Sequence, residues 1–283
     1  MGTSSSSKGP GSGVPMTPPW ADPATGPADG DGDDASGGGA EEGDGKDASK
    51  PKDSSVLAPV ARFGGARTNL NQFARSGDTQ AMRRGVGHYV AKGYGGSKTA
   101  SSRFGGTAST AARLSGVLSA LSTGGSASTD TAGLDRTELS GRTAEQVIDA
   151  IVQAVRPVDG TQDAESSREA MRDALCDVLD AQPEADLLEL SDSARELVIE
   201  RFVGHDVFRR IVLDIGHAMQ DAAPNAATFY SRLEQVKEYV QQTVAASFRR
   251  LSEADQSLSG GNVAAISRAA IRETMEVFEG WVE

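Results

Sequence analysis

Cysteine, histidine and long apolar runs are what this chain has least of. A single cysteine, Cys176, in 283 residues excludes an internal disulfide framework and fits a reducing cytosol. Three histidines, His88, His205 and His217, leave little room for metal or acid–base chemistry built on imidazole. His205 and His217 fall on one expected helix but more than three turns apart, too far to share a metal ion. No stretch approaches the roughly 18 consecutive apolar residues of a membrane span, and the amino terminus lacks an apolar signal core. A cytoplasmic protein without membrane contact is expected. Acid pairs such as Asp163/Glu165 and Glu196/Glu200 are expected on solvated helix faces, and Cys176, beside Leu175, at the edge of the core.

What is present is divided by charge. Residues 1–55 hold four Lys or Arg against ten Asp or Glu, residues 56–123 hold nine against one, and the remainder holds 15 against 29. The net charge of −12 therefore conceals an acidic, basic, acidic order. An acidic whole disfavours nonspecific nucleic-acid binding, although the middle block alone could attract phosphate.

Three segments follow from this and from the apolar pattern: 1–55, 56–125 and 126–283. Residues 1–55 carry only Met1, Val14, Met16 and Trp20 as large apolar residues, amid Gly, Ser, Pro and Asp. Too little apolar surface exists there to offset the entropy of ordering, so a long disordered tail is expected. As a random coil it would span on the order of 40 Å.

The middle segment is Gly- and Arg-rich and only partly helical in expectation. Met82, Val86, Tyr89 and Val90 lie at helical spacing, as do Leu114, Val117, Leu118 and Leu121. Glycines interrupt it, each costing a helix about 1 kcal/mol against alanine. Short helices are expected that order fully only against the rest of the protein or a partner. The tetrapeptide Arg-Phe-Gly-Gly occurs at 62–65 and 103–106. Two copies so short do not establish a duplicated domain; chance or a shared local turn explains them.

The last segment predicts an all-α bundle of five helices. Thr143 and Gln146 form a capping box before Val147, Ile148, Ile151, Val152 and Val155, and Pro157 ends that helix. Ser166 with Glu169 is expected to cap a second helix, and Ser193 with Glu196 a third, reaching to about Gln220. That third helix is apolar on most sides and should be the most buried. A fourth follows Pro224-Asn225, and a fifth follows Gly260-Gly261-Asn262. No period-two strand pattern appears, and the short connections favour a bundle.

Candidate chemical sites are few. The loop Gly93 to Thr99 suggests a phosphate loop, yet the positions six and one before Lys98 are Lys92 and Ser97, not glycine. Asp214 lies in a helical run rather than on the strand such a site needs. No histidine is locally paired with Cys176 to make a nucleophile. Arg62, Arg67, Arg83, Arg84 and Arg103 alternate with Phe63, Phe73, Tyr89 and Phe104 across 62–113, a pattern suited to phosphate contact with base stacking on single strands. Docking of this block on the protein's own acidic bundle, or on an acidic partner, is the competing reading. The opening Met1 to Ser6 also satisfies a myristoylation pattern, although the acidic residues that follow would not reinforce one acyl chain. No catalytic residue, cofactor or metal is implied.

The amino terminus is the most specific feature. Gly2 behind Met1 leaves the initiator open to removal, exposing a glycine α-amine; a serine run, a Gly/Pro turn, Pro15, Pro18, Pro19 and Trp20 follow. This opening resembles the QatB family of the Qat anti-phage defence system. The resemblance implies an all-α defence component working beside an ATPase (QatA), a QueC-like enzyme (QatC) and a TatD-like nuclease (QatD). It further implies that QatC joins a deazaguanine acid through an amide to the amine of Gly2. The residues suit that role. Glycine offers no side chain to obstruct a narrow active site, and an α-amine with a pKa near 8 is substantially nucleophilic at cellular pH. Thr3, Ser4 and Ser5 would line the channel with small hydrogen-bonding groups, and the prolines with Trp20 would anchor outside it. A nucleic-acid-binding adaptor using 62–113 is the alternative.

Overall fold

The structure is a computed structural model that describes residues 61–123, 134–253 and 262–282. The tail, with Gly2, Thr3, Ser4, Ser5, Pro15, Pro18, Pro19 and Trp20, lies outside the described residues. Those described form ten α-helices and no strand. They are α1 Gly64–Ser76, α2 Thr79–His88, α3 Ser97–Arg103, α4 Gly105–Thr123, α5 Arg136–Leu139, α6 Ala144–Val155, α7 Gln162–Ala181, α8 Asp192–Ala222, α9 Ala226–Glu253 and α10 Val263–Glu279. A π-helical turn, Tyr89–Gly93, continues α2.

Local signals set most boundaries. Asp78 accepts from the Gln80 amide to start α2, and Gly77, at φ 75°, ends α1 in the left-handed conformation glycine favours. The Thr143/Gln146 capping box forms as expected. Two caps differ from expectation. Thr161, not Ser166, caps α7, because the turn at Gly160 (φ 75°) brings its hydroxyl to the Ala164 amide. Ser191, not Ser193, caps α8 by accepting from Ala194. Both expected boxes match a pattern that recurs inside the helices themselves. The short α5, capped by Asp135, has no counterpart in the sequence reading.

Helix α8 is the axis, packing against α1, α4, α7 and α9. Val198, Phe202, Val203 and Val207 on it are fully buried. The glycine-rich helices share this core. Leu70, Phe73, Val86, Tyr89 and Phe104 join Leu114, Ile151, Met171 and Phe278 in one apolar cluster. Glycine there permits close approach. A Cβ on Gly85 would lie 2.6 Å from Leu70, and one on Gly87 would lie 2.8 Å from the Phe278 carbonyl oxygen. The helix forms there despite an intrinsic cost of about 1 kcal/mol for each glycine.

The two Arg-Phe-Gly-Gly segments share a backbone turn. Phe63 has φ −94°, ψ 11° and Phe104 has φ −91°, ψ 13°; in each case the ring is buried and the Gly-Gly pair opens a helix. Each ring also carries a guanidinium, Arg62 at 4.5 Å over Phe63 and Arg210 at 5.6 Å over Phe104.

Candidate functional site

Just after the tail, the first turn of the body builds a cluster of rings and charges. Arg62 is buried over Phe63 and lies 5.1 Å from the Tyr94 ring centroid. Phe63 stacks on Tyr89 at 5.3 Å, and Tyr94 meets both rings edge-on. The π-helical turn makes this fit possible. It places Gly93 under Phe63, where a Cβ would come within 2.6 Å of the ring. The extra residue in such a turn re-aims side chains, and π-turns are frequent at functional positions.

Asp214 on α8 closes the cluster. Its Oδ2 accepts from Tyr89 Oη and Tyr94 Oη, each at 2.9 Å, and Arg67 Nη2 approaches its backbone carbonyl at 3.5 Å. Burial pushes the Asp214 carboxyl above its ordinary range, against the opposing pull of the two phenols and Arg62. Burial and the facing carboxylate raise both phenols, Tyr94 to about 12 and Tyr89 well above its usual value. Both tyrosines therefore stay protonated and donate. The arrangement holds the start of the body on α8; it does not present a nucleophile.

A second node joins four helices. Arg103 Nη2 and Arg210 Nη1 meet Asp163 Oδ2 at 3.0 and 3.1 Å, while Arg210 Nε reaches the fully buried Asp206 at 3.3 Å. Thr107 donates to the same Asp206 oxygen at 2.5 Å. Burial alone would raise the Asp163 carboxyl, but Arg210 and Arg103 overcome it and hold it below the usual carboxylate range. The solvated setting expected for Asp163 is thus corrected. Helix α7 starts earlier than the sequence suggested, which turns this residue toward α8.

The five arginines do not form one stripe. Arg62 and Arg67 serve the Asp214 cluster, and Arg103 serves Asp163. Half-buried Arg83 stacks on Trp281 at 4.6 Å, whereas exposed Arg84 faces Asp78 at 3.7 Å. Phe63, Phe73, Tyr89 and Phe104 are at most 2% exposed. That corrects the base-stacking part of the nucleic-acid reading, since buried rings have no free face to offer. The geometry matches docking of the basic block on the protein's own acidic helices.

The remaining candidates also have definite places. The Gly93–Thr99 loop is fastened by the Ser97 amide, which donates to Glu279 at 2.9 Å. Asp214 is helical and engaged by tyrosines rather than by Lys98. His205 is buried, with Nε2 at 2.8 Å from Asp177 and a contact to Gln241, which links α7, α8 and α9. His217 lies exposed beside Asp221 at 2.9 Å. Cys176 is exposed rather than at the core edge; partial burial and the charges of Asp173, Asp180 and Asp177 raise its thiol and oppose thiolate formation. Among the described residues no His, Cys, Asp and Glu group could hold a metal ion, and no helix is long and apolar enough to cross a membrane.

Sequence reasoning missed the Tyr89–Tyr94–Asp214 and Asp163–Arg210–Asp206 nodes. A signal existed: Asp206 and Asp214 fall among the apolar residues Val203, Val207, Ile211 and Ile215 of α8, and an acid on a buried stripe requires a partner.

Comparison with known families finds that the family described as Qat anti-phage system associated protein QatB matches residues 95–278. The matched stretch runs from the loop before α3 to the end of α10, through Asp163, Asp206 and Asp214. No curated protein and no solved structure matches.

Proposed function

The chain belongs to the QatB family of the Qat anti-phage system, and from that premise we propose that it is a non-enzymatic defence component whose amino-terminal Gly2 amine is presented to the QueC-like enzyme QatC. QatC attaches a 7-deazaguanine to that amine through an amide. The observation that carries the reading is the terminus itself: an unhindered glycine amine, three small hydroxyl residues, then prolines and Trp20. The Asp214 cluster supports a presenting role for the body. It fixes residues 62–67 to the central helix, so a tail beginning there has a firm base. The body, with Arg84 and its neighbours, contacts QatC or the ATPase QatA.

Co-expression with active QatC followed by intact-mass and peptide mass measurement tests this. The expected product is an amino-terminal peptide without Met1 that carries a nucleobase-sized adduct on Gly2. Gly2→Pro removes the adduct and leaves the circular dichroism and melting temperature unchanged. An unmodified Gly2 beside a demonstrably active QatC overturns the proposal.

A further inference from the structure

A cavity of about 620 Å³ opens where α4, the end of α6, the start of α7 and α8 converge. Its polar wall includes Thr110, Arg113, Arg156, Thr161 and Arg210. The charge within it does not balance. Asp163 and Asp206 are met by Arg103 and Arg210, two carboxylates by two guanidiniums. Arg113 remains over, and Arg156 is met only by the half-exposed Asp159. No carboxylate lies within 4.0 Å of the exposed Arg113 among the described residues. Arg156 has only Asp159 at 3.8 Å, and its buried Nε has no hydrogen-bond partner.

The position of Arg156 is itself held, because buried Arg168 donates to its backbone carbonyl from α7. The opening turn of α7 faces the same space through Thr161, Gln162 and Asp163. The Ala164 amide is taken by the Thr161 hydroxyl, but the two amides before it have no acceptor within the helix and attract negative charge. The side chain of Asp163 also lines the cavity and would repel an anion, but its charge is engaged by Arg103 and Arg210. The volume falls within the range of small-molecule sites, of about 300–1,000 Å³.

We infer that this cavity is a binding site for a phosphate-bearing small molecule, held by the Arg113 and Arg156 guanidiniums above the amino terminus of α7. Paired guanidiniums suit phosphate oxygens because each can donate two parallel N–H bonds. The site does not depend on the proposed modification of Gly2.

Isothermal titration of the full chain with pyrophosphate and with ATP as probes tests the inference, with sulfate as the control anion. Saturable binding of pyrophosphate or ATP is expected, at least tenfold tighter than sulfate. Arg113→Glu and Arg156→Gln should each weaken it tenfold or more, whereas Arg75→Glu, the charge control at an exposed position on α1, should leave it within twofold. Equal affinities for pyrophosphate and ATP assign recognition to the phosphates; tighter ATP binding adds a contribution from the nucleoside. Because Arg113 is exposed, its variant should keep the parent melting temperature. No saturable binding, affinity equal to that of sulfate, or binding indifferent to both cavity substitutions overturns the assignment.

Discussion

Tyr89 Oη donates to Asp214 Oδ2 at 2.9 Å, joining residues 125 positions apart in sequence. The same oxygen accepts from Tyr94 at the same distance, so one carboxylate on α8 secures both ends of the π-helical turn. Tyr89→Phe keeps the ring in the core and removes only the donor. The expected loss is about 1.5–3 kcal/mol, the range for hydrogen bonds to charged groups. Tyr94→Phe should behave alike, and a double-mutant cycle in urea should show coupling between them. Additive losses would mean that the two bonds act independently.

Asp214 and Asp163 should affect the pH dependence of stability in opposite directions. The folded Asp214 carboxyl lies above its unfolded value, about 4. The native state thus holds more protons in that window, and stability from this group falls as pH rises through it. Asp163 is held below its unfolded value, so its contribution is present above that value and fades as pH falls through the folded one. In urea unfolding between pH 3 and 7, Asp214→Asn should lessen the decline toward neutral pH. Asp163→Asn should lessen the loss on the acid side.

Two glycine substitutions should have opposite signs. Gly87→Ala drives a Cβ into the Phe278 carbonyl oxygen and should cost about 1–3 kcal/mol. At Gly116, within α4, an added Cβ would meet nothing within 4 Å, and Gly116→Ala should stabilise by up to about 1 kcal/mol. Thermal unfolding distinguishes the two directly.

The neighbouring arginines of α2 should also differ. Arg83→Glu loses the stacked contact with Trp281 and should destabilise by about 1 kcal/mol. Arg84 is exposed and its ion pair is long, so Arg84→Glu should change stability by less than about 0.5 kcal/mol. Equal losses would show that Arg83 makes no particular contribution to the packing of α10.

The helical class was legible because Val147, Ile151 and Val155, like Val198 and Phe202, repeat at a helical period. The Thr143 capping box was legible for a local reason, since its side chain reaches the Gln146 amide three residues on; the start of the helix after Pro224-Asn225 was legible too, though not that Asn225 itself accepts from Thr228. The glycine-rich helices were harder to read. Gly85 and Gly87 weaken a helix considered alone, and their benefit lies in Leu70 and Phe278, which are distant in sequence. The candidate sites were hidden for a related reason. Nothing near Asp214 indicates that Tyr89 and Tyr94 meet it, and the reading of Asp163 followed from placing the start of α7 several residues late. Cys176 was misplaced because adjacency to Leu175 does not fix which way a helical side chain points.

The contacts of α10 bear on the order of events during synthesis. Gly87 fits against the Phe278 carbonyl, and the Ser97 amide is capped by Glu279. While the ribosome has yet to add those residues, α2 and α3 lack their final neighbours, and the apolar surface awaiting α10 stays open to chaperones. The amino terminus emerges first by contrast, so an enzyme acting there could reach a nascent chain before its body has closed.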